Sequence, residues 1–236
     1  MTGVTGLFAR LFGRRHLEVA AVSDAGLVRT DNQDCLFVDG GHRVFCVADG
    51  MGGAEGGALA SRMVCEAVAG CTAAHDFVQR IKAADAAIGA ANARILAHAR
   101  EHGLEKMGTT VALILFDPSD LAQAAIGHAG DTRVYRRRGP KLERLTADHR
   151  KSAYSHFLTK AVGVQPTVEP DWLHASVKRG DIWLVCCDGV HDMLPDTTIN
   201  GILARGGSAR EMADRLSEAV RRAGALDNYT FILIRA

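Results

Sequence analysis

From Phe77 onward, apolar side chains return at alternating steps of four and three: Phe77, Ile81, Ala84, Ile88, Ala91 and Ile95. Residues three and four apart share one face of a helix, so this spacing predicts a single helix with a continuous apolar stripe. At about 1.5 Å per residue the helix runs roughly 40 Å. That is long enough to lie across a whole sheet, and the stripe needs such a sheet to cover it.

The rest of the chain supplies strands. Leu17–Val22 alternates weakly, and two short apolar runs, Cys35–Val38 and Arg43–Ala48, flank Asp39-Gly40-Gly41-His42. Gly-Gly between two such runs predicts a two-residue hairpin turn, which would set Cys35 directly opposite Cys46. A glycine-rich loop, Asp49–Gly57, leads into a helix with Leu59, Met63, Val64, Ala67 and Val68 on one face. Further strands are expected at Thr109–Phe116, Ala122–His128, Thr132–Arg137, Asp171–Val177, Ile182–Cys187 and Tyr229–Ile234, with Pro118-Ser119-Asp120, Gly139-Pro140 and Arg179-Gly180 as turns. Ser208 and Glu211 make a capping box for a helix whose apolar face carries Met212, Leu216 and Val220. Helices paired early and again before the last strand, with hairpin strands between, predict an α+β fold. The arrangement is a four-layer α-β-β-α sandwich of two stacked, mostly antiparallel sheets flanked by helix pairs. With 47% hydrophobic residues the chain can fill such a core.

No linker, repeat or low-complexity segment divides the sequence, so residues 17–236 read as one domain behind a flexible basic and apolar leader, residues 1–16. A formal charge of +1 gives no electrostatic footprint for nucleic acid. No apolar run is long enough to span a bilayer. The six cysteines form no CxxC pair and no zinc-like spacing with histidine, so free thiols in a cytoplasmic protein are expected, Cys35 and Cys46 included.

The chemistry lies in where aspartates fall. Asp49 follows the apolar run Val44–Ala48 and precedes Gly50; Asp188 follows Ile182–Cys187 and precedes Gly189. Asp131 follows Gly130 at the end of another strand, and Asp227 precedes Asn228 and the last one. Carboxylates gathered at one edge of a sandwich repel one another, and hard divalent cations relieve that repulsion.

The segment Ser23-Asp24-Ala25-Gly26-Leu27-Val28-Arg29-Thr30-Asp31-Asn32-Gln33-Asp34 resembles the opening motif of bacterial phosphatases of the PPM (PP2C-like) family. So do Val47-Ala48-Asp49-Gly50-Met51-Gly52-Gly53, Gly108-Thr109-Thr110, Gly130-Asp131-Thr132-Arg133 and Leu145-Thr146-Ala147-Asp148-His149. The series continues, in the family's order, with Leu158-Thr159-Lys160-Ala161-Val162-Gly163, Cys187-Asp188-Gly189-Val190-His191-Asp192 and Asp227-Asn228-Tyr229-Thr230. The resemblance implies a central β-sandwich with a centre for two Mn²⁺ or Mg²⁺ ions. Asp49 would bridge both ions, the Gly50 carbonyl would bind the second, and Asp188 and Asp227 would complete the first. Asp34 would act near the second ion through water, and Asp131 with Asp188 matches the position of a weaker third ion. Arg29 matches the arginine that grips the substrate phosphate.

The implied activity is hydrolysis of phosphoserine and phosphothreonine in proteins by a metal-bridging hydroxide, in a monomer opposing a bacterial Ser/Thr kinase. Two alternatives are a catalytically inactive binding module on the same fold and a hydrolase of small phosphate esters. His128, His149 and His191 lie near motifs in sequence, and a structural task is expected for each. Only eight residues separate His149 from Leu158, shorter than the flap usual in bacterial relatives.

Overall fold

The long helix lies where its stripe requires. The computed structural model describes residues 17–41, 43–73, 76–104, 106–152 and 157–236, so the expected leader lies outside the described residues. The chain opens with β1 (Glu18–Asp24) and the hairpin β2 (Cys35–Asp39) and β3 (Val44–Ala48). A short strand, β4 (Gly50–Met51), leads to the helices α1 (Ala54–Gly70) and α2 (Phe77–Glu101). Five strands follow: β5 (Gly108–Thr109), β6 (Val111–Phe116), β7 (Gln123–Ala129), β8 (Arg133–Arg138) and β9 (Lys141–Arg144). The chain closes through β10 (Asp171–Ser176), β11 (Ile182–Cys186), α3 (Asp188–His191), α4 (Asp196–Ala204), α5 (Ala209–Arg222) and β12 (Tyr229–Arg235).

Two five-stranded sheets result, ordered β1-β12-β11-β8-β9 and β10-β7-β6-β3-β2, and every pairing is antiparallel. Strand side chains alternate between faces, and here both faces are covered. Along β3, Phe45 and Val47 enter the layer between the sheets with Ile114, Trp183, Val185 and Ile232, while Val44, Cys46 and Ala48 pack under α1 and α2. Along β12, Ile232 and Ile234 join that inner layer, while Phe231 and Leu233 pack under α4 and α5 with Leu203, Met212 and Leu216. This double burial makes the central strands continuously apolar, and it produces the four layers α-β-β-α. On α2, Ala84, Ile88, Ala91 and Ile95 are wholly buried against the second sheet. Asp76 caps the helix by accepting from the Gln79 amide at 2.9 Å. The capping box of α5 forms as read from the sequence.

Some local expectations are corrected. The hairpin does not turn on Gly40-Gly41 alone: Asp39 pairs with Val44, leaving residues 40–43 as the loop. Arg43 takes a left-handed φ of 61° and donates through Nη1 to the Asp117 carbonyl at 2.8 Å, and its own carbonyl accepts from the Phe116 amide at 3.0 Å. These bonds fix the wider turn. Cys35 therefore faces Ala48 and Cys46 faces Phe37, and all six cysteines are free thiols. The strand expected at Thr109–Phe116 breaks at Thr110 into β5 and β6, because Thr110 bonds to Asp49 instead of continuing the ladder. Among the described residues, no helix is long and apolar enough to cross a membrane.

Candidate metal centre

Both sheets deliver aspartates to one end of the sandwich. Asp49 ends β3 and Asp34 precedes β2 in one sheet; Asp188 follows β11 and Asp227 precedes β12 in the other. Ligand atoms of Asp34, Asp49 and Cys187 all lie within 4.8 Å of one another. The Cys187 thiol donates to Asp34 Oδ2 at 3.3 Å, and the carboxyls of Asp49 and Asp188 share a hydrogen bond.

The backbone around each carboxylate is locked by residues whose task the sequence motifs do not declare. The Asp49 amide donates to Thr110 Oγ1 at 2.9 Å, and the Asp49 carbonyl accepts from the Thr110 amide at 2.9 Å and from Thr109 Oγ1 at 2.8 Å. Gly108-Thr109-Thr110 is thus the clamp on Asp49. Asn228 performs the same service for the opening loop. Its Oδ1 accepts from the Gln33 amide at 2.9 Å, and its Nδ2 donates to the carbonyls of Ala25 at 3.1 Å and Asp31 at 2.8 Å. Ser61 of α1 adds a bond to the Gln33 carbonyl at 2.6 Å. Glycine is required at Gly50 and Gly189 by close approach. A Cβ on Gly50 would stand 2.2 Å from the Gly57 carbonyl oxygen, and one on Gly189 would stand 1.9 Å from that of Asn228. The second contact is what lets α3 carry Asp188 up to the start of β12.

Electrostatics mark the cluster as short of positive charge. Burial pushes the Asp34 carboxyl up to about 7, and the charges of Asp188 and Asp227 add to the rise against hydrogen bonds from Thr230 and Cys187. Burial also holds Asp49 well above the usual carboxylate range, reinforced by Asp34, Asp188 and Asp131. Asp188 is raised by burial and by Asp131. The Cys187 thiol is raised by burial and by Asp34, which keeps the metal-free thiol protonated and able to donate to Asp34. A donor set of carboxylates that strain against ionising together suits a hard divalent cation, which removes the cost of their charge. The residues present therefore fit divalent metal.

The remaining predicted residues spread around this floor. Arg29 sits half-exposed at the rim and donates through Nη2 to Asp227 Oδ2 at 2.9 Å. Gly50 lies in β4, paired with Thr109. Asp131 is buried but turns to Arg150, whose Nε donates to its Oδ2 at 2.5 Å. All three histidines take structural positions. His149 accepts at Nδ1 from the Gly130 amide at 3.1 Å and donates from Nε2 to Asp171 at 2.9 Å. His128 stacks on it with ring centroids 4.8 Å apart, and burial lowers its pKa to about 4. His191 donates from Nε2 to the Asp131 carbonyl at 3.0 Å. Sequence reasoning missed Arg150, Cys187 and the holding roles of Thr109, Thr110 and Asn228. The threonines and the asparagine stand inside quoted motifs, whereas nothing local marks Arg150 as facing aspartates.

Comparison with known proteins agrees with this geometry. The model of the family described as Protein phosphatase 2C matches residues 21–227. The serine/threonine protein phosphatase PstP of Mycobacterium tuberculosis is 35% identical over 234 residues, which is 92% of this chain and 44% of PstP, so the chain spans less than half of that relative. Among solved structures, PppA, a key regulatory component of T6SS in Pseudomonas aeruginosa, aligns with a TM-score of 0.88 at 28% identity, covering 93% of this chain and 97% of PppA. The catalytic domain of PstP in complex with two manganese ions aligns with a TM-score of 0.82 at 32% identity, covering 93% of this chain and 97% of that one. The chain belongs to the Protein phosphatase 2C family.

Proposed function

We propose that the protein is a metal-dependent serine/threonine protein phosphatase, with residues 17–236 as its catalytic domain. The observation that carries this reading is the meeting of Asp34, Asp49 and Asp188 at one end of the sandwich, each carboxyl held above its ordinary pKa. In this reading Asp49, the Gly50 carbonyl, Asp188 and Asp227 hold two Mn²⁺ or Mg²⁺ ions, with Asp34 acting through water. When bound, the ions supply the Lewis acidity that makes hydroxide available from water near neutral pH. The clamp of Thr109 and Thr110 fixes the direction of Asp49, and Asn228 fixes the loop that carries Arg29 and Asp34. Arg29 orients the phosphoryl group: its guanidinium, now on Asp227, presents the planar fork that suits two phosphate oxygens, and its exposure lets an incoming phosphoprotein reach it. The substrate is a phosphorylated protein made by a Ser/Thr kinase, met in the cytoplasm by a monomer. PstP, whose catalytic domain was solved with two manganese ions, supports the choice of metal.

Turnover of a phosphothreonine peptide, a nucleotide and a sugar phosphate, each with Mn²⁺ and with chelator, tests the proposal. The peptide should be the preferred substrate, and chelator should abolish its hydrolysis. Preference for the small esters, or turnover indifferent to chelator, would overturn it.

A further inference from the structure

Three carboxylates meet a single guanidinium beside the centre. Arg150 Nε lies 2.5 Å from Asp131 Oδ2, and Nη2 lies 3.5 Å from Asp188 Oδ2 and 3.3 Å from Asp192 Oδ2. The side chains of Arg150 and Asp131 are 8% and 7% exposed, so the pair is shielded from solvent and from salt. Oxygen donors from Asp131, Asp188 and Asp192 are the kind of set a divalent cation would take. Here a covalently attached cation fills it.

The chain holds Arg150 there from both sides. Immediately before it, the His149 amide donates to the Gly130 carbonyl at 2.8 Å, tying this segment to the loop that carries Asp131. Arg150 itself bridges to Leu158, and the Lys151 amide donates to the Phe157 carbonyl at 3.2 Å. A guanidinium does not lose its proton in the accessible pH range, so the positive charge is permanent.

We infer that Arg150 is a built-in cation that takes the place of a further divalent ion at Asp131, Asp188 and Asp192, leaving a centre that binds two ions and no third. The inference rests on the two-ion reading above. A fixed single charge bound to Asp131 does not depend on free metal, so the centre is complete once its two ions are in. It also leaves the Asp131 carboxylate unavailable as a ligand.

Calorimetric titration of Mn²⁺ into wild type, Arg150→Ser and Arg150→Lys counts the ions directly, and Mn²⁺ electron paramagnetic resonance gives an independent count. Wild type and R150K should bind two ions. R150S should bind a third, and Mn²⁺ should raise its melting temperature more than that of wild type, because an ion then compensates Asp131. Where R150S fails to fold, Arg150→Gln serves in its place, keeping side-chain bulk without charge. Three ions in wild type, or two in the uncharged variant, would overturn the inference. No Mn²⁺ bound by wild type would overturn instead the two-ion reading beneath it.

Discussion

Asp34 has the most testable single side chain. Its carboxyl is raised by burial from an ordinary value of 3.8 to about 7 in the folded protein. Between those values the folded chain binds a proton that the unfolded chain releases. Stability from this group is therefore full below about pH 4 and is lost as pH rises through about 7. In chelator, the melting temperature of wild type should fall between about pH 5 and about pH 8. Asp34→Asn removes the titration, so its melting temperature should exceed that of wild type at the upper end, with the gap shrinking at the lower end. A wild-type pH profile unchanged by the substitution would contradict the burial assigned to this carboxyl. Mn²⁺ should reverse the slope, since ions bind the deprotonated carboxylates.

At the scale of elements, α3 is placed by what glycine leaves out. A methyl group on Gly189 would meet the Asn228 carbonyl at 1.9 Å, and backbone cannot swing aside as a flexible side chain can. Gly189→Ala should push α3 outward, moving Asp188 away from the start of β12. The expected cost is about 1–3 kcal/mol in urea unfolding with chelator present, together with Mn²⁺ affinity weakened about tenfold, the equivalent of about 1.4 kcal/mol. Unchanged affinity would show that Asp188 does not depend on this contact. Elements with strong periodicity were legible in the sequence: the stripe of α2, the capping box of α5 and the apolar central strands all stand where their patterns place them. The hairpin register was not. Moving the pairing of β2 and β3 by two residues returns every side chain to the same face, so both registers bury the same apolar set. The bonds of Arg43 to the distant Asp117 segment hold the wider register, and sequence alone does not show them. Strand β9 (Lys141–Arg144) carries a polar sequence at the sheet edge, where one partner suffices and no apolar alternation is required.

For the molecule as a whole, the centre belongs to neither sheet alone. Asp34 and Asp49 come from the ends of one sheet and Asp188 and Asp227 from the other, so packing of the inner layer sets their separation. Asp49 and Asp188 could be picked out in the sequence because each precedes a glycine at the end of an apolar run, whereas Asp34 has no such mark and stood out only through the family's opening motif. Arg150 could not, because its position depends on the tertiary path from Gly130 to His149. The central claim is that these carboxylates hold the ions that drive phosphoester hydrolysis, and Asp49 is the carboxylate most enclosed by the others. Asp49→Asn keeps the shape and the clamp from Thr109 and Thr110 while removing the charge. Relief of repulsion should leave the metal-free fold intact or slightly more stable. The decisive measurement is Mn²⁺-dependent turnover of a phosphothreonine peptide by wild type and Asp49→Asn, with Mn²⁺ affinity and far-UV dichroism recorded on the same samples. Wild type should turn over only with metal, and the variant should lose several orders of magnitude in rate and most of its Mn²⁺ affinity with an unchanged spectrum. Near-normal turnover by a folded Asp49→Asn would contradict the claim.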